Sequence, residues 1–246
     1  KYKVTTINII KIKQILFFTL FIFLIPPSVL AEKLVLKSFG HSSFLIKGKE
    51  NSILINPFKS VGCASNLDEP NHRNVDFILA SSRLLDEGYN PTNKLMFVEP
   101  GNYRFGDILL NGIKVPHDRF GGRRFGMATV WSWEQNNLKI VHMGGAAGEI
   151  DINSQIILSR PDVLFISIGG GIKSYDGKEA SRVVEILKPS IVIPVHFVRG
   201  KQKTEDCDFS NSDLFLENIK DYKVKYVGKS LSINPKKIEN TIYIFK

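Results

Sequence analysis

The chain has 246 residues, of which 43% are hydrophobic and 23% charged, the balance of a globular protein with one large or two small buried cores. Its net charge is +9, but the first 31 residues hold four lysines and no acid, leaving 29 basic against 24 acidic residues. That modest excess, with no long basic stripe interleaved with aromatics, argues against nucleic acid as a partner.

Lys1, Lys3, Lys11 and Lys13 precede an apolar run from Ile15 to Ile25, which Pro26 and Pro27 break before small residues end at Ala31. This is the layout of a secretory signal peptide cleaved after Ala31, and the run is too short to span a bilayer comfortably. Left uncleaved, it is an N-terminal anchor and the one membrane contact expected. In both cases residues 32–246 form the exported domain, periplasmic or extracellular. Cys63 and Cys207 sit in polar, loop-like segments. An oxidising compartment permits a bridge between them, though nothing in the sequence fixes their distance. There is no C-x-x-C pattern, hence no redox motif or zinc ribbon.

The first half of the domain reads as strands: Lys33–Ser38, Ser43–Ile46 and Ile53–Asn56, the last two joined by turn residues 48–51. Residues 59–75 are loop. Strands follow at Phe77–Ala80, Lys94–Val98, Asp107–Leu110 and Ile113–Val115, with Asn111-Gly112 predicting a two-residue hairpin turn. Ala128–Glu134 and Leu138–His142 form a further pair. Trp131 and Trp133 share one face there, the pattern of sheet packing. The second half alternates: a short helix at Ser154–Ser159, a strand at Asp162–Ile168, a helix at Lys178–Leu187 with apolar spacing that Pro189 stops, a strand at Ile191–His196, a helix at Ser212–Ile219, and strands at Val224–Val227 and Thr241–Phe245. Hairpins followed by strand–helix alternation predict two mixed sheets with helices outside.

Gly40-His41-Ser-Ser-Phe44 and Ile53-Leu-Ile-Asn56-Pro57-Phe58 resemble the opening of the metallo-β-lactamase fold, closest to its UlaG-like branch of metal-dependent hydrolases. His117-Asp118 with Gly121-Gly122 and Arg124, Leu138 to His142 and Gly144, and Leu187-Lys-Pro189 with Pro194-Val195-His196 are similar to the middle and end of that branch. The resemblance covers roughly residues 34–220. It implies an αββα sandwich with the site at the loop ends of both sheets. It also implies zinc, manganese or iron, and hydrolysis of a small anionic ester or lactone by metal-activated water.

The ligand set implied by the resemblance is mostly replaced. The loop that should read H-x-H-x-D-H offers Ser82, Leu84, Asp86 and Glu87. The bridging Asp aligns with Gly145, and an early Asp with Asn56. His117 and His196 remain. A catalytic zinc needs about three protein ligands and an open position for water. Two readings stay open: a reduced metal site of Asp86, Glu87, His117 and His196, with Asp86, His117 and His196 catalytic, or a degenerate, pseudoenzyme-like cleft that holds no metal and binds a small anionic ligand. Arg123 and Arg124, in a loop rich in glycine, are the expected ligand-binding residues. His41 and His142, at strand ends, are expected to be structural. Gly169-Gly170-Gly171 lacks the ending of a phosphate loop. Ser81 or Ser82 with a histidine and an acid lacks the G-x-S-x-G elbow of a hydrolytic triad.

Overall fold

The computed structural model describes residues 32–71, 73–199 and 207–246; the expected signal segment lies outside them. The strands are β1 (Leu34–Gly40), β2 (Ser43–Lys47), β3 (Ser52–Ile55), β4 (Phe77–Leu79), β5 (Met96–Phe97), β6 (Gly101–Phe105), β7 (Ile108–Pro116), β8 (Met127–Gln135), β9 (Leu138–His142), β10 (Val163–Ser167), β11 (Ile191–Val195), β12 (Lys223–Val227), β13 (Ser230–Ile233) and β14 (Thr241–Phe245). The helices are α1 (Ile152–Leu158), α2 (Gly177–Leu187) and α3 (Asp213–Asn218).

Two mixed sheets result, in the orders β13-β1-β2-β3-β4-β5 and β12-β14-β11-β10-β9-β8-β7-β6. Local chemistry explains most joints. Asn136 and Asn137 both take positive φ, 52° and 58°, as the tight turn between β8 and β9 requires. In β1, Leu34, Leu36, Ser38 and Gly40 alternate inward, the period of a strand with one face covered. β10 and β11 are buried at every residue, because parallel strands in mid-sheet are covered on both faces.

The main core fills the space between the sheets. Leu36, Phe44, Ile46, Ile53 and Phe77 pack with Trp131, Trp133, Ile140, Phe165 and Ile193. Trp131 also donates its indole N–H to the Ala80 carbonyl at 2.8 Å, a polar tie across the sandwich. On the outer face of the larger sheet, Val141, Leu164, Ile166 and Val192 pack against Leu158, Ala180, Val184, Leu187 and Phe215 from the three helices. α2 is cut as its sequence directs: a capping box of Asp176 and Glu179 starts it, and Lys188, with φ 51°, ends it before Pro189. The expected sandwich is present. Among the described residues its α-helices all pack on the larger sheet, while the outer face of the smaller one carries only Leu54, Val75 and Ile78 with Phe39, Leu45 and Met96.

One expectation fails. Asn111-Gly112 is not a turn; both residues lie inside β7, where Gly112 pairs with Gly101 on one side and Trp131 on the other. The turn falls instead at Gly106-Asp107, where Gly106 has φ 56°. Gly112 is there for space: a Cβ would lie 2.9 Å from Trp131 and from Thr129. Two strands, β6 and β13, are half-exposed at or near sheet edges and carry little apolar signal.

Cys63 and Cys207 are bonded, 144 residues apart in sequence. The bridge joins the loop after β3 to the segment after β11. Closing so long a loop removes much of the freedom of the unfolded chain. Cys63→Ser, or reduction of the wild type, lowers unfolding free energy by about 2–5 kcal/mol in chemical denaturation; an unchanged midpoint under reductant contradicts this.

Candidate functional site

The polar residues that the sequence singled out gather where strands from both sheets end. His41 follows β1, Asn56 follows β3, Ser81 to Glu87 follow β4, His117 follows β7, Gly144 and Gly145 follow β9, and His196 follows β11. His41, Asn56 and His196 adopt left-handed backbone, with φ of 52°, 46° and 49°. That conformation is costly for side-chain-bearing residues and persists where surroundings fix it. Here His196 donates its backbone N–H to the His41 carbonyl at 3.1 Å, and Asn56 donates to Leu79 at 2.8 Å. The first of these bonds links the two sheets at the site.

Glu87 is the centre. Its side chain is buried, 2% exposed, and needs partners to stay charged. Ser81 donates its hydroxyl to Glu87 Oε2 at 2.8 Å, and Ser82 donates to Oε1 at 2.7 Å. His117 Nε2 lies 2.9 Å from Oε1, placed off the hydrogen-bond direction. Burial opposes the charge, but the His117 imidazole, His196 and the Ser82 hydroxyl outweigh it and hold the carboxyl well below its usual range. Burial likewise works against protonation of His117, and the Glu87 charge outweighs it, raising the imidazole. Each group thus favours the charged form of the other. Behind it, Asn56 donates its amide to Ser81 Oγ at 2.8 Å and accepts from Ser81 N at 2.8 Å.

Gly145, aligned with the missing bridging Asp, explains how the pair fits. A Cβ there would collide with the His117 ring and lie 2.9 Å from Glu87 Oε1. His117 and Glu87 therefore occupy the space that a side chain at 145 would need. Asp86 is turned elsewhere and takes an ion pair from Lys173. His196 is buried beside His41, ring centroids 4.2 Å apart, and next to Phe209 at 5.5 Å. Burial, then His41, pushes His196 well below its ordinary value, and burial pushes His41 down to about 4.

The remaining candidates separate. Asp118 accepts four backbone N–H groups, from Phe120, Gly122, Arg124 and Phe125, between 2.8 and 3.0 Å; it ties its own loop. Arg119 forks onto Glu179 at 2.7 and 3.0 Å and also reaches the Gly171 carbonyl. Arg123 and Arg124 are exposed on the loop, the Arg124 guanidinium over the Phe125 ring at 5.3 Å. His142 is structural: one ring nitrogen donates to Ser42 O at 3.1 Å and the other accepts from Gly144 N at 3.1 Å, and burial pushes it down to about 4. The sequence did not point to Lys173 or Arg199, since each follows a motif residue without belonging to a pattern.

The side chains present do not fit a zinc ion as they stand. Among the described residues no three His, Cys, Asp or Glu groups converge to hold one. Ligands at about 2.0–2.2 Å around one tetrahedral ion are spaced roughly 3.3 Å apart, and the 2.9 Å between His117 Nε2 and Glu87 Oε1 is tighter. Against this, both ring nitrogens of His117 and both of His196 are buried with no hydrogen-bond partner.

A sequence model of the beta-lactamase superfamily domain matches residues 35–196, about two-thirds of the chain. The chain belongs to the metallo-β-lactamase superfamily. A UPF0173 protein of Pyrococcus abyssi is 24% identical over 185 residues, 65% of this chain and 81% of that protein. A UPF0173 metal-dependent hydrolase of Thermococcus onnurineus is 27% identical over 186 residues, 64% of this chain and 82% of its own length. A Thermotoga maritima crystal structure, described as a Zn-dependent hydrolase of the superfamily, matches with a TM-score of 0.66 at 21% identity, covering 87% of this chain and 100% of that one. These likenesses establish the superfamily and its fold, not the narrower UlaG-like branch.

Burial of His41, His142 and His196, each pushed below its ordinary value, makes the fold acid-labile. His142 titrates near 4 when folded against 6.5 when free, so the unfolded chain binds more protons between those values. Its contribution is full above about pH 6.5 and is lost as pH falls toward 4, about 3 kcal/mol. Glu87, depressed below 4.5, adds a further loss below that pH. Urea unfolding from pH 7 to 4 reads the decline, and His142→Asn, less stable at pH 7, shows a shallower slope; a flat wild-type profile contradicts it.

Proposed function

We propose that this chain is an exported, degenerate member of its superfamily, in which side chains of the protein close the metal position and a small anionic ligand binds in the cleft that remains. The observation that carries the reading is the Glu87–His117 contact over Gly145, with Ser81 and Ser82 taking the carboxylate oxygens. Export is supported by the signal-like segment before residue 32 and by the Cys63–Cys207 bridge, which needs an oxidising compartment. Ligand binding is supported by the unpartnered ring nitrogens of His196, since a buried polar atom without a partner carries a cost that a bound polar group relieves.

A second reading has one observation in its favour. One ring nitrogen each from His117 and His196 would suit a single ion held with Asp86 and Glu87, once Glu87 turned away from His117 and Asp86 from Lys173. That is a reduced metal-dependent hydrolase of a small ester or lactone, the class named for the Thermococcus relative in its broadest terms.

Metal analysis of the purified, unreduced mature protein separates the two. The first reading expects zinc, iron and manganese far below one equivalent per chain, and an unfolding midpoint unmoved by chelator. One equivalent of a tightly held ion, with esterase activity abolished in Asp86→Ala and His196→Ala, establishes the second.

A further inference from the structure

A small cavity of about 60 Å³ has His41 in its wall. His41, Asn66, Phe197, Arg199, Phe209 and the Cys63–Cys207 disulfide line it. Arg199 extends from the segment that follows His196 and β11. Its guanidinium lies over the Phe197 ring, 5.2 Å from the centroid. Stacking satisfies the flat face of a guanidinium and leaves its five N–H donors, which point outward in the plane. Among the described residues no carboxylate pairs with Arg199 and no acceptor takes those donors.

Its neighbours behave differently. Lys173 has Asp86, and Arg119 has Glu179. Arg199 is partly buried, no opposing charge pairs with it among the described residues, and burial pushes it down to about 10. An unpaired charge in such a place costs stability unless something compensates it. The cavity has room for roughly two waters at ~30 Å³ each, the size of a single carboxylate or phosphate group. The His41 imidazole, edge-on to Phe58 at 5.9 Å, supplies a second polar wall.

We propose that Arg199 is the anchor of an oxyanion subsite, taking the carboxylate or phosphate group of a small ligand into the cavity between His41 and the Cys63–Cys207 disulfide. The inference rests on the anionic-ligand reading above and moves the anchor away from Arg123 and Arg124, which are exposed on a loop that Asp118 organises. A planar fork suits a two-oxygen group, so charge alone is not the whole interaction. The disulfide forms part of the wall, so the subsite depends on the oxidised state.

The test is titration of the mature, oxidised protein with inorganic phosphate and with acetate, at constant ionic strength held with chloride. The wild type binds at least one of them saturably, and which one identifies the group. Arg199→Gln weakens that binding at least tenfold, about 1.4 kcal/mol. Arg199→Lys, which keeps the charge and loses the fork, falls between, and guards against a Gln variant that misfolds. The Arg123→Gln/Arg124→Gln double variant binds as the wild type does. Equal affinity in Arg199→Gln, with binding lost in the double variant, overturns the Arg199 assignment and leaves the anionic-ligand reading standing. Absence of saturable binding in the wild type overturns the subsite, while metal content still decides between the two functional readings.

Discussion

A single buried carboxylate organises this site. Glu87 can be ionised inside the sandwich only because two hydroxyls and an imidazolium surround it. Those partners come from different parts of the chain. Ser81 and Ser82 lie just past β4, and His117 lies past β7 in the other sheet. The contact therefore fixes how the ends of the two sheets meet. Its geometry also depends on what is missing, since any side chain at 145 would displace the imidazole. Truncating one member would leave the other charge buried and unmatched, the costly case for ionic groups in an interior.

The sandwich supplies the rigidity this arrangement needs. Aromatic packing between the sheets, with Phe44 against Phe165 at 4.8 Å, holds strand ends at fixed separation. The bond from His196 to the His41 carbonyl then couples the last residue after β11 to the turn after β1. Left-handed backbone at His41, Asn56 and His196 is tolerable because each sits at the end of a well-packed strand. Strain of this kind is commonly found where side chains are aimed at a site. In this chain it aims His41 and His196 at one another and carries Asn56 into the Ser81 network.

Much of the architecture was legible in the sequence. Alternation in β1, the apolar runs of β10 and β11, and the spacing and caps of α2 each encode their element locally. The histidines and acids of the site were legible too, because they stand at positions a resemblance can align. Asn111-Gly112 misled because its turn preference was overridden: the Trp131 ring needs a neighbour without a Cβ, and strand pairing on both sides keeps the residues extended. The partners of Glu87 were not legible. Ser82 read as a replaced ligand and Ser81 as a triad candidate without its elbow, and only three-dimensional proximity shows them bonded to the carboxylate. Arg199 left no signal, since its cavity is formed by segments far apart in sequence.

The substitutions make sense together as electrostatics. In the metal-binding relatives that the resemblance implies, divalent ions neutralise the acids gathered at the strand ends. Here the acids that survive have protein cations in that role: the His117 imidazolium beside Glu87, and the Lys173 ammonium beside Asp86. Where the resemblance implies histidine ligands and a bridging Asp, this chain carries Ser82, Leu84 and Gly145, none of which brings a charge. Hydroxyl and amide groups of Ser81, Ser82 and Asn56 complete the hydrogen bonding around Glu87. Among the described residues the Arg199 guanidinium lies over the Phe197 ring and has no such acid beside it, which sets it apart from both pairs.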